Sequence, residues 1–194
     1  MKFWKFYHMK DIRDCAMISL YRKTMDGYGM YQSGQVLVYG PHGACRVLEL
    51  QHQQQGGRPV TYLVLEPLGQ TGARYMVPTH DQVAMAKLRP LLTREELEEL
   101  PETAIAQQTE WIRDEGQRKL LYRELISGTD RGRLLGMMIS VMQHKEFQAS
   151  NGRKCHICDE NFLRDAERVL CGEIGAVLDL DLAAARIWLY EKMQ

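Results

Sequence analysis

The stretch Met30–Pro90, MYQSGQVLVYGPHGACRVLELQHQQQGGRPVTYLVLEPLGQTGARYMVPTHDQVAMAKLRP, decides the fold. Short β-branched, aromatic and leucine runs alternate in it with Gly and Pro, the pattern of short antiparallel strands joined by tight turns. Val36, Val38, Cys45, Val47 and Leu50 are expected to form one face of two strands across the turn Gly40-Pro41-His42-Gly43. Gly56-Gly57 then reads as the loop of a second hairpin, since glycine adopts positive φ without strain. Thr61–Glu66 is the most continuous strand, and Arg74–Val77 and Ala84–Leu88 complete a set of about five. Five short strands in some sixty residues predict a small, highly bent barrel.

Beyond Leu91 the apolar spacing changes to that of helices. Thr93 and Glu96 form a capping-box pair, and Pro101 is expected to end the short helix they open. A second helix is read over Gln107–Ile126 and stops at Ser127-Gly128. Asp130 caps a third, Arg131–Phe147, with Leu134, Leu135, Met138, Val141 and Met142 in one stripe. Ala149–Lys154 reads as a polar loop. Asp159–Leu178 places Phe162, Ala166, Val169, Ile174 and Val177 on one face, and Asp181–Met193 brings Ile187, Trp188 and Tyr190. Helices this short are not stable alone, so they must pack together. The expectation is an α+β chain: an N-terminal extension over 1–29, a β-barrel over 30–92 and an all-α bundle over 93–194.

Composition bounds the function. The chain is 194 residues long, 45% hydrophobic and 26% charged, the values of an ordinary globular protein. No apolar run approaches the ~20 residues that cross a bilayer, and the first residues lack an apolar signal region. Cys15, Cys45, Cys155, Cys158 and Cys171 form no regular framework, which suits a reducing cytoplasm. The formal net charge of zero hides an asymmetry: residues 1–92 hold eleven Lys/Arg against six Asp/Glu, whereas residues 93–194 hold fourteen against nineteen. Proteins that live by phosphate contacts usually present a basic surface. Any DNA contact by the acidic second half must therefore be local, and weak without a partner.

The chemistry-bearing motifs point to no catalyst. Cys155-His156-Ile157-Cys158 has a zinc- or disulfide-like spacing, but no second pair supplies the four ligands a structural zinc requires. The six histidines at 8, 42, 52, 80, 144 and 156 are scattered, and none accompanies a nucleophile elbow. His42 is expected to brace its turn. Gly56-Gly57 and Gly69-x-x-Gly72 lack the lysine and helix of a phosphate loop. No enzyme, metal, cofactor or small-molecule substrate is expected.

The order Tyr31-x-x-Gly34 to Tyr39, His42-Gly43, Tyr62-Leu63-Val64-Leu65 and Val77-Pro78 resembles the N-terminal domain of the CarD family, which also occurs in the transcription-repair coupling factor. Glu110-Trp111-Ile112, Arg118-Lys119, Tyr122, Ser127-Gly128, His144-Lys145, Asp159-Glu160-x-Phe162, Ala166-Glu167 and Glu173 follow the order of that family's helical domain. The resemblance spans roughly 30–180. It implies a barrel of SH3 or Tudor type that binds the RNA polymerase β subunit, and a bacterial transcription regulator whose helical domain contacts promoter DNA. Since family members begin where Met30 stands, residues 1–29 are either a stretch read through from an early start codon or a genuine basic, aromatic arm.

The resemblance also implies roles for single residues. Trp111 would wedge into the minor groove at the upstream edge of the melted DNA, with Arg113, Arg118, Lys119 and Arg123 on the phosphates beside it. Helical geometry alone puts Trp111, Arg118, Tyr122 and Leu125 on one face, which makes Trp111 equally a core residue. The polymerase-contacting arginines of the family fall on Gln53 and Met76 here, with Arg46, Arg58 and Arg74 nearby as substitutes. Backbone pairing by an edge strand needs no side-chain charge. Two functions lead: a polymerase-bound regulator that touches DNA, and a protein–protein adaptor that uses the barrel without DNA; a Cys155/Cys158 redox or zinc protein is a distant third.

Overall fold

The computed structural model describes residues 31–70, 72–108 and 110–193; the extension expected over 1–29 lies outside them. Five antiparallel strands, β1 (Val36–Tyr39), β2 (Ala44–Gln55), β3 (Arg58–Pro67), β4 (Tyr75–Pro78) and β5 (Leu88–Arg89), form one sheet in the order β4-β3-β2-β1-β5. The sheet is open, which corrects the expected closed barrel. β5 has two residues, both already paired with β1, and β4 pairs with β3 at the opposite edge, so nothing among the described residues closes the ring. Part of the predicted strand Ala84–Leu88 is instead a single helical turn, α1 (Gln82–Met85). The Asp81 carboxylate accepts the Val83 and Ala84 N–H groups at 2.9 and 3.1 Å, and this cap favours the turn over extension.

The sheet core is Leu37, Cys45, Val47, Leu63, Leu65 and Val77. The face predicted for β1 is thus displaced by one residue: Leu37, opposite Cys45, faces this core, and Val38 is buried with its partner Ala44 on the other side. There β2 begins against a helix. Gly43, at φ +74, sits with its would-be Cβ 3.5 Å from the Val169 Cα, so the turn approaches that helix backbone closely. His42 braces the turn as expected, with its ring centroid 5.4 Å from Tyr39 and 3.8 Å from Tyr75.

Five further helices follow: α2 (Arg94–Ala106), α3 (Glu115–Ser127), α4 (Arg131–Ser150), α5 (Ile157–Leu178) and α6 (Leu182–Lys192). The Thr93–Glu96 capping box and Asp130 cap as expected, and Asp181 caps α6 by accepting the Ala184 N–H. Pro101 does not end α2. Continuing the helix keeps Ala104 buried on the stripe of Leu97 and Leu100, which outweighs one missing backbone hydrogen bond. Gly136 of α4 allows the close crossing, since a Cβ there would meet the Ala104 carbonyl at 3.0 Å. The predicted helix Gln107–Ile126 is also shorter than expected. It starts at Glu115, where Asp114 accepts the Gln117 N–H at 2.7 Å, and Trp111 lies in the segment before it.

Glu173 of α5 joins the sheet to the bundle. Its carboxylate accepts from Arg89 of β5 at 2.7 Å, from Arg131 of α4 at 2.9 Å and from the Leu92 N–H at 3.0 Å. The Arg131 and Glu173 side chains are 1% and 2% exposed, so the pair is held in a dry interior. Arg168 adds a second tie by donating to the Pro41 carbonyl at 3.0 Å.

Candidate functional site

The opposite end of α5 carries a different arrangement. Asp159, in the first turn of the helix, accepts from Arg118 Nε at 2.8 Å and from a terminal guanidinium nitrogen at 3.0 Å. Arg118 also donates to the Ile112 carbonyl at 2.8 Å, so it pins the segment before α3 onto the start of α5. Its guanidinium carbon lies 4.5 Å from the Trp111 ring centroid. The His144 ring stacks on the same indole at 3.6 Å and 7°. A cation that close on the imidazole's side would overlap it, so Arg118 and His144 cover opposite faces. Trp111 is held half-buried between them.

An open groove of about 390 Å³ runs along this sandwich, and Arg113, Arg153, Lys154 and His156 add cationic or proton-binding groups to its wall. A second groove, on the side of Ile105, Gln108, Gln143 and Ser140, shares Trp111 and His144 with the first. Burial lowers the pKa of His144; Asp159 opposes that shift and Arg118 reinforces it. Gln148 lies 3.1 Å from His144 Nε2 and fixes the ring's orientation.

The structure therefore brings Trp111, Arg113 and Arg118 together but distributes their roles unevenly. Arg118 is 5% exposed and committed to Asp159, which leaves it to hold the indole rather than meet solvent. Lys119 pairs with Glu115, and Arg123 is exposed farther along α3; neither lines the groove. Asp159, Arg153 and Lys154 receive no role from the sequence, which offers His144 and His156 only as metal ligands. The available signal was Arg153-Lys154, a basic pair in a loop between two helices.

Cys155 and Cys158 are half-buried free thiols beside this groove. His156 between them accepts the Cys158 N–H at 3.2 Å and caps α5, while burial pushes the Cys155 thiol up. Among the described residues, no three His, Cys, Asp or Glu side chains are grouped to hold a metal ion. None of the described helices is long and apolar enough to cross a membrane.

The residues expected to meet a polymerase lie on the sheet. Arg46 of β2 is exposed opposite Glu66, and Met76 of β4, 41% exposed, pairs with Val64 on the same face. Arg74 is exposed just before β4. Gln53 and Arg58 lie toward the tip of the β2–β3 ribbon, Gln53 opposite Val60 and Arg58 opposite Gln55. Arg58 is roughly 25 Å along the ribbon from Glu66 at about 3.3 Å per residue. The structure thus groups Arg46, Arg74 and Met76 and separates Gln53 and Arg58 from them. β4 is an outer strand of the sheet, and its far edge carries no strand among the described residues.

A search of curated proteins finds no match to this chain. The sheet region does match a known family model, the CarD-like/TRCF RID domain, over residues 31–91, a span that takes in all five strands. Residues 31–91 are therefore similar to the CarD-like/TRCF RID domain, and the match leaves the helical part of the chain outside it.

Proposed function

We propose that this protein is a non-enzymatic, cytoplasmic transcription regulator. In this reading it docks on the RNA polymerase β subunit through its sheet and touches upstream promoter DNA through the Trp111 groove, shifting open-complex stability. The observation that carries the reading is the domain match over 31–91, coincident with a sheet whose outer strand β4 has no strand on its far edge among the described residues. Met76, Arg74 and Arg46 border that strand, and Gln53 and Arg58 would add contacts at the ribbon tip. On the DNA side, Arg113, Arg153 and Lys154 supply phosphate contacts around Trp111, with Lys119 and Arg123 extending them along α3. Arg118 orients the indole. Polymerase docking supplies the effective concentration that a locally basic, globally acidic bundle needs.

One observation favours the adaptor reading: residues 93–194 carry a net charge of −5, from fourteen Lys/Arg and nineteen Asp/Glu. Two experiments separate the possibilities. Capture of endogenous polymerase by the tagged chain should enrich the β subunit, and absence of enrichment overturns docking. Footprinting of a promoter–polymerase complex should show added protection upstream of the bubble. Its absence, with capture intact, selects the adaptor.

A further inference from the structure

The third ring beside Trp111 is the least explained side chain near the groove. Phe147 follows His144 by three residues on α4, so the two rings are neighbours on that helix, with centroids 6.4 Å apart. Phe147 is 63% exposed, and His144 is its one ring neighbour among the described residues. Its turn is held in place: the Phe147 carbonyl accepts from Ser150 Oγ at 2.9 Å and Asn151 Nδ2 at 2.7 Å. Trp111, His144 and Phe147 thus form a row, covered at the Trp111 end by Arg118 and open at the Phe147 end. The loop that follows carries Arg153 and Lys154, both exposed.

A lone exposed phenylalanine would be unremarkable. A row of rings with an open aromatic end, flanked by cations that suit a phosphate backbone, is the arrangement that binds unpaired nucleobases. We propose that Phe147 is a stacking surface for one unpaired base of locally melted DNA, with Arg153 and Lys154 on the adjoining phosphates. This inference rests on the DNA contact proposed above and deepens it. Both faces of the Trp111 indole are already covered, so a base unstacked by its edge finds its π partner at Phe147 instead. The site then discriminates melted from fully paired DNA, which a wedge and phosphate contacts alone do only weakly.

The test uses the full chain and two DNA duplexes of equal length, one fully paired and one with a short unpaired segment carrying 2-aminopurine. The protein should bind the melted DNA tighter and quench the 2-aminopurine fluorescence as the base stacks. Phe147→Ala should lower affinity for the melted DNA by about tenfold, abolish the quench and leave duplex affinity unchanged. Phe147→Trp should restore both, whereas Phe147→Leu, apolar but without a π face, should not. Thermal unfolding of the Phe147→Ala variant at the wild-type temperature excludes a folding defect, as the exposure of this residue leads one to expect. Equal quenching by wild type and Phe147→Ala overturns the inference. If Lys154→Ala still weakens both DNAs alike, the DNA reading survives that result; if wild type binds neither DNA even at the ~mM effective concentration that polymerase docking would supply, both fall.

Discussion

The two ends of α5 use one chemical device for two purposes. At Glu173 a buried carboxylate takes guanidinium groups from β5 and α4, together with the Leu92 N–H, and joins three segments of the chain. At Asp159 a buried carboxylate takes one guanidinium, and the far side of that guanidinium faces an indole on the wall of an open groove. The first arrangement fixes how the sheet sits on the bundle. The second fixes one side chain on the wall of an open groove. A buried ion pair by itself says little about net stability, since desolvation offsets much of the attraction. What distinguishes the two ends is what the pair holds in place.

Removing one partner separates them most sharply at the closed end. Glu173→Gln leaves Arg89 and Arg131 facing each other without a counter-charge, and should cost about 3–5 kcal/mol in equilibrium unfolding. The sheet and bundle should then melt in separate transitions. A single transition with a loss below ~1 kcal/mol would show that Glu173 is not the joint.

At the open end the expected loss is smaller, because one guanidinium rather than two loses its counter-charge. Asp159→Asn should cost roughly 2–3 kcal/mol and leave one cooperative transition. Its distinctive effect is local: Trp111 should lose its ordered near-UV signal, read as a difference against Trp111→Phe because Trp4 and Trp188 also contribute. An unchanged Trp111 signal would contradict the clamp.

The smallest effect is on pH. Burial lowers the pKa of both His42 and His144; Arg168 and Lys87 reinforce the shift at His42, and Arg118 does so at His144 against Asp159. An unfolded histidine titrates near ~6.5, so between the folded and unfolded values the unfolded chain binds more protons. Stability is therefore full above ~6.5 and falls as acid carries the pH down through the folded values. Chemical unfolding across that range should show the decline, with His144→Gln removing only the groove's part. A rise in stability on acidification would contradict the assignment.

The sheet was largely readable in the sequence because period-2 alternation and Gly/Pro turns are local signals. The misses there were one-residue matters: Leu37 rather than Val38 faces the sheet core, and Asp81 caps a helical turn where a strand was expected. Closure of a barrel was not readable, since it depends on whether β4 meets β5 in space. The groove was scarcely legible at all. Trp111, His144 and Asp159 come from three segments up to 48 residues apart (159 − 111), and no periodicity links them. Arg118 illustrates the loss: a basic residue beside a tryptophan suggests a phosphate contact, and only the fold reveals Asp159 opposite it.

The most direct test is the lifetime of a polymerase–promoter open complex with wild type, Trp111→Ala and the protein omitted. Because Trp111 is half-buried, its truncation should cost only roughly 1–2 kcal/mol of stability, short of the ~3–5 kcal/mol expected for a core aromatic. The folded variant should still be captured by polymerase, yet shift the open-complex lifetime no more than omission does. A Trp111→Ala protein that binds polymerase and changes the lifetime as wild type does would contradict the proposed role of the groove.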